Sequence, residues 1–188
     1  NPPVQKDDLW AQACSGDAKT VNSWAKQWLD QMTINAKRYD FRKMSVESEF
    51  RKFSYKPVII AGSGPSLKRV SKFLMPNKAD VEHDRGEIGL VSCLHNYGYF
   101  EDLGIIPEYY VSLDAGQICI PEMVQGGSRK TVDGKIDEKF YWDSTKDKTL
   151  VAVTTSHPEL LERWKGKILF FNILVPDQGF MEQALKIA

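Results

Sequence analysis

The stretch Pro57-Val58-Ile59-Ile60-Ala61-Gly62-Ser63-Gly64-Pro65-Ser66-Leu67 constrains this chain more than any other. It reads as a buried strand, a tight glycine turn and the first turn of a helix. The unbroken apolar run Val58-Ile59-Ile60 suits a strand covered on both faces. Gly62 and Gly64 permit backbone angles that other residues resist, and they put no side chain in a ligand's way. Pro65 suits the first helical position, where its missing N–H costs nothing. The unpaired N–H groups of that helix start, with the positive end of the helix dipole, make a site for phosphate or another anion. A plain strand-to-helix corner, with glycines for packing alone, fits the same residues.

Around this unit, short apolar runs alternate with helical spacing. Ile88–Leu94, Tyr109–Leu113, Leu150–Thr154 and Ile168–Phe171 read as further strands. Helical patterns follow them: Leu67, Val70, Phe73 and Leu74, ended by Pro76; Tyr97–Leu103, stopped by Gly104; Leu160, Leu161 and Trp164, stopped by Gly166; and residues 177–187. Ser156-His157-Pro158-Glu159 has capping-box spacing, with Ser156 as the cap and Glu159 reaching back. The span 115–149 is rich in Gly, Lys, Asp and Thr, with one helical turn near Ile118–Met123 and turns at Gly126-Gly127-Ser128 and Asp133-Gly134, which suggests a flap or small insert that must still pack Phe140, Tyr141 and Trp142. Alternation of this kind predicts an α/β fold, Rossmann-like, with a mostly parallel sheet and flanking helices over residues 56–188.

Residues 1–55 read as an N-terminal helical extension. Asp7-Asp8 opens a short helix with Leu9, Trp10 and Ala13, ended by Gly16. Asp17 caps a second helix, in which Val21, Trp24, Trp28, Met32 and Ala36 recur every three or four residues. Trp24 and Trp28 on one helical face suggest packing against the core or against a second copy of the chain, more than a stacking platform for bases or sugars. Residues 37–56 form a mildly basic connector whose Phe41, Met44, Phe50 and Phe53 dock it onto the main domain; its charges read as solvated, with a phosphate-facing patch as the alternative.

The 25 Lys and Arg balance 25 Asp and Glu, so the chain lacks the charge signature of a nucleic-acid binder. No apolar run is long enough to span a bilayer. Cys14, Cys93 and Cys119 are odd in number and far apart, which argues against a disulfide framework and a cysteine-built zinc site, and points to a reducing, cytoplasmic setting. His83, among Asp80, Glu82 and Asp84, reads as exposed charge.

In an open parallel sheet the ligand lies beyond the C-terminal ends of the strands. Four features follow their strands directly: the Gly62–Ser66 turn, His95-Asn96, Asp114 and Ser156-His157. The turn lacks the third glycine of a dinucleotide fingerprint and the Gly-Lys-Ser/Thr of a P-loop. The chain has no His-Glu-x-x-His and no serine nucleophile elbow, so Ser63 and Ser66 read as donors to phosphate or carbonyl groups. Asp114 is the candidate for Mg²⁺, held through one or two carboxylates beside nucleotide phosphates, or it merely caps the next turn. Asn96 meets a base or sugar edge, or it is a structural turn residue. His157 serves as acid or base, or as part of the cap.

Ile60-Ala61-Gly62-Ser63-Gly64-Pro65-Ser66-Leu67, Pro107-Glu108-Tyr109-Tyr110-Val111-Ser112-Leu113-Asp114 and the segment Thr154–Leu161 resemble the MptE-like family. That family is named for archaeal 6-hydroxymethylpterin diphosphokinases and includes the bacterial motility accessory factors. Gly62–Leu67 with Asn96-Tyr97-Gly98-Tyr99-Phe100-Glu101-Asp102 is similar, more weakly, to bacterial sialyltransferases that use CMP-sialic acid. Together these resemblances, over residues 56–175, imply a nucleotide-dependent transferase. Gly62, Ser63, Gly64, Pro65, Ser66 and Asn96 would hold the nucleotide, ATP or a CMP-sugar, and Asp114 would hold Mg²⁺ or phosphate and act in catalysis with His157. A small-molecule acceptor is the other expected partner. Family members continue with a further glycine-serine segment, a helix and a strand, so the resemblance also implies a C-terminally truncated domain; a non-catalytic binding module that keeps the fold is the competing expectation.

Overall fold

A computed structural model describes residues 6–51, 57–74, 88–173, 175 and 177–188, with the side chains of 6–18, 48, 50 and 70 left aside. The expectations for Cys14, Phe50, Phe53, Val70 and the 76–87 loop with His83 lie outside what is described.

Five strands form one sheet: β1 (Val58–Ala61), β2 (Gly89–Cys93), β3 (Tyr109–Ser112), β4 (Thr149–Val153) and β5 (Lys167–Phe171). All neighbouring pairs are parallel, and the order is β1-β2-β3-β4-β5, without the reversal of a doubly wound sheet. The helices are α1 (Lys6–Ala36), α2 (Glu47–Phe50), α3 (Leu67–Leu74), α4 (Tyr97–Leu103), α5 (Cys119–Gln125), α6 (Glu138–Asp143), α7 (Pro158–Arg163) and α8 (Gln178–Ile187). The fold is the expected α/β, Rossmann-like class with a helical N-terminus.

Right-handed crossovers that always step the same way keep their helices on one face. The core follows that rule. Alternate strand residues Leu90, Tyr110, Leu150, Ala152, Ile168 and Phe170 are buried with residues of α1, α4, α5, α6, α7 and α8. The other face carries a small cluster of Val46, Tyr109, Val151 and Leu169, flanked by half-buried Val91, Val111 and Phe171. β1 is therefore not covered on both faces as expected. It is an edge strand in the described sheet, and Ile60 is 80% exposed.

The helix over the first residues is continuous. Gly16 does not end it and Asp17 does not cap a second one, because both lie inside α1. A helix-interior glycine costs about 1 kcal/mol relative to alanine, which tertiary burial of an amphipathic face outweighs. That burial is visible at Val21 and Met32, which join the core, and at Trp28, whose ring meets Phe180 of α8 edge-on at 5.9 Å. Trp24 stays 47% exposed. The connector docks as expected through Phe41, which packs on Phe170 at 4.8 Å between ring centroids. Its backbone also runs beside β5: Phe170 N donates to Met44 O (2.7 Å) and Val46 N to Phe170 O (3.0 Å).

The 115–149 span is not a flap. Cys119, Ile120, Met123 and Val124 of α5 and Tyr141 and Trp142 of α6 are buried core residues. Only the middle is irregular, with a turn at Gly134 (φ 82°) beside a Lys130–Ile136 bridge. Gly104 ends α4 in the left-handed conformation, as its position predicted. Among the described residues no helix is long and apolar enough to cross a membrane.

Candidate functional site

Because all five strands are parallel, the residues that follow them share one rim. The chain leaves β1 at Ala61, which is buried, and Gly62–Ser66 are exposed. Gly64 O accepts from Leu67 N (3.0 Å), closing a turn with Pro65 inside it, and α3 begins only at Leu67. Pro65 thus precedes the helix instead of opening it. Proline in a turn's second position is equally at home, since its φ is already set. Among the described residues, the N–H groups of Ser63, Gly64 and Ser66 donate to no protein acceptor.

Neither Gly62 nor Gly64 has the positive φ that would demand glycine. Among the described residues a Cβ on Gly62 would meet nothing within 4 Å, and one on Gly64 only Ser66 Oγ at 3.9 Å. The expectation that unusual backbone angles require these glycines is therefore corrected: the backbone is ordinary, and no described residue fills the space above Gly62. A cleft of about 360 Å³ lies beside the turn, lined by Ile59, Ile60, Gly62, Ser66, Leu67 and Phe73 among others.

Asn96 sits under the turn, 2% exposed. Its Nδ2 donates to Ala61 O (3.0 Å) and to Ser92 Oγ (3.1 Å), so both amide hydrogens are spent inside the protein. It ties the end of β2 to the last residue of β1. The rest of the Asn96–Asp102 stretch is packing as well: Tyr97 and Phe100 are buried, a Cβ on Gly98 would come within 2.8 Å of Gly127 N, and Asp102 accepts from the Tyr141 hydroxyl (2.6 Å).

Asp114 follows β3 on the same rim and is exposed. Its Oδ1 accepts from Gly116 N (2.6 Å), while its other oxygen accepts from no described residue. Two strand spacings of roughly 4.8 Å each separate β1 from β3, a span that a chain of phosphates covers. His157 follows β4, and it, not Ser156, caps α7: its Nδ1 accepts from Glu159 N (3.3 Å). An accepting Nδ1 assigns the ring proton to Nε2. Ser156 Oγ is instead buried with no partner among the described residues, and the Glu159 carboxylate reaches Gln117 and Arg163, so the expected capping box does not form.

Several residues of this rim carried no sequence signal. Glu122 of α5 pairs with His95 Nε2. Cys119 is 1% exposed, and its thiol is pushed up to about 12 by burial first, then by the negative charges of Asp114, Glu122 and Glu159. Those carboxylates therefore surround one point of the rim and make it acidic. They are not close enough to share an ion: among the described residues no group of three or more His, Cys, Asp or Glu could hold a metal. Gln31 and Asn35 of α1 are buried; Gln31 Nε2 donates to Ala115 O (3.1 Å), and Asn35 Nδ2 to Thr154 O (3.0 Å) and Ser156 O (2.9 Å). They secure the backbone next to Asp114 and His157. Their signal was only their place on the inner stripe of α1.

A search of curated proteins and one of solved structures return no match, so neither links the chain to sialyltransferases. A family model described as 6-hydroxymethylpterin diphosphokinase MptE-like matches residues 30–185, a span wider than the motifs suggested, which takes in the Gln31–Asn35 turn of α1. With that match over most of its length, the chain belongs to the MptE-like family, whose description is that of a diphosphokinase-like transferase.

Proposed function

We propose that the protein is a nucleotide-dependent diphosphokinase that transfers diphosphate from ATP to a hydroxymethyl acceptor. The observation that carries this reading is the Gly62–Ser66 turn, whose N–H donors and the space above them are used by no described residue, on the same rim as Asp114. Phosphates on that turn would take hydrogen bonds from Ser63, Gly64 and Ser66. The single open carboxylate of Asp114 fits Mg²⁺, which is held through one or two carboxylates plus substrate phosphates. Bound there, Mg²⁺ would neutralise phosphate charge against the acidic rim. His157 presents Nε2–H, a donor, and so would steady a phosphate oxygen or the acceptor hydroxyl instead of removing a proton. Catalysis would come from positioning and charge neutralisation.

The test is a thermal-shift panel of ATP, GTP, CTP and CMP, each with and without Mg²⁺. The expected result is an upward shift with ATP that needs Mg²⁺, is lost in Gly62→Val, and loses its metal dependence in Asp114→Asn. Gly62→Val should melt like the parent without ligand, since its side chain enters space that no described residue fills. A shift with CMP alone would move the reading to a CMP-sugar glycosyltransferase. No shift with any nucleotide at millimolar concentration would leave a binding module without this chemistry.

A further inference from the structure

His95 and Glu122 lie on the rim that carries the candidate chemistry, and the transferase reading leaves both unused. His95 follows β2, the strand between β1 and β3, so one strand spacing of roughly 4.8 Å lies on either side of it, toward the glycine turn and toward Asp114. Its backbone is fixed: Leu94 and Asn96 are each 2% exposed, and Asn96 is tied to Ala61 O. Glu122 is fixed as well, since Cys119, Ile120, Met123 and Val124 of α5 are buried core residues. The His95 and Glu122 side chains are 38% and 33% exposed, so they are held in place yet open to a reactant.

The pair assigns the tautomer of the imidazole. An ionised carboxylate only accepts, so Nε2, which meets Glu122, carries the proton. In the neutral ring Nδ1 is then bare and able to take a proton. His157 is set the opposite way, with Nδ1 accepting and the proton on Nε2. One histidine of the rim donates and the other accepts.

From this we infer that His95 is the general base of the reaction, taking the proton of the acceptor hydroxyl on Nδ1, with Glu122 as the positioning residue that holds the ring in the required tautomer. The inference rests on the transferase reading. The acceptor oxygen bonds to the β-phosphorus of ATP, the bond from that phosphorus to the α–β bridging oxygen breaks, AMP leaves with that oxygen, and the hydroxyl proton passes through Nδ1 to solvent.

The test measures AMP formed from ATP and Mg²⁺ with 6-hydroxymethylpterin as the acceptor probe. His95→Gln should lower kcat about 10²- to 10⁴-fold, the usual worth of a general base, while the thermal shift with ATP and Mg²⁺ stays that of the parent. Added imidazole should restore part of the turnover of His95→Ala. Histidine ¹⁵N NMR on the full chain should show the His95 proton on Nε2 in the parent and a mixture of tautomers in Glu122→Ala, with a partial loss of kcat. Full turnover in His95→Gln, loss of its ATP shift, no rescue by imidazole, or a bare Nε2 in the parent would each overturn His95 as the base and leave the transferase reading standing. No AMP from the parent would overturn both.

Discussion

Single residues on the two sides of the glycine content work in opposite ways. A Cβ at Gly127 would come 2.3 Å from Tyr141 Oη, so packing alone demands glycine there. At Gly62 no described residue lies within 4 Å of that Cβ, so packing among the described residues makes no demand for glycine. That contrast is why Gly62→Val is a clean test: it alters access to the turn and little else. Asp102 shows how a family-like motif residue can serve structure. Burial works against its charge, yet hydrogen bonds from the Tyr141 hydroxyl and Ser128 N–H hold its carboxyl below the ordinary carboxylate range. A carboxyl lowered in the folded state stabilises the fold above the unfolded value of about 4. That stability is lost as the pH falls through the lower folded value. Urea melts from about pH 5 down to pH 3 should therefore show falling stability in the parent and a flatter acid limb in Asp102→Asn.

Among elements, α1 decides the most. It shares the core with the sheet and clamps the two loops that carry the candidate chemistry. Asn35 is wholly buried, and its amide satisfies two backbone carbonyls. Asn35→Ala strands both, at about 1–3 kcal/mol for each unmet group. Denaturant melts should show a loss of that order, and nucleotide affinity should fall alongside it, because the Thr154–Ser156 backbone is what sets His157. A stability loss with nucleotide affinity unchanged would limit Asn35 to the fold. The helical spacing of Val21, Met32 and Ala36 was plain in the sequence. The partners of Gln31 and Asn35 were not, because they lie 84 to 121 residues away in the chain.

At the scale of the molecule, charge and strand order matter. The formal net charge is zero, so the chain as a whole adds no long-range attraction to polyanions. Duplex DNA should not retain the protein at physiological salt, as a filter or gel assay would check, and retention there with a steep salt slope would contradict this. The consecutive strand order gathers the crossover helices on one face and leaves β1 at an edge of the described sheet. It also sets the distance between the glycine turn and Asp114, two strands apart on one rim.

Local pattern was enough to predict the alternation of strands and helices, the glycine turn, the C-cap at Gly104 and the residues that follow each strand, because periodicity and turn chemistry act within a few residues. The order of the strands, the exposure of β1, the unbroken helix through Gly16, the burial of α5 and α6, and the switch of the α7 cap from Ser156 to His157 came only with the tertiary structure. Each of these depends on what a distant segment covers, and burial against distant partners outweighs local preferences worth about a kilocalorie.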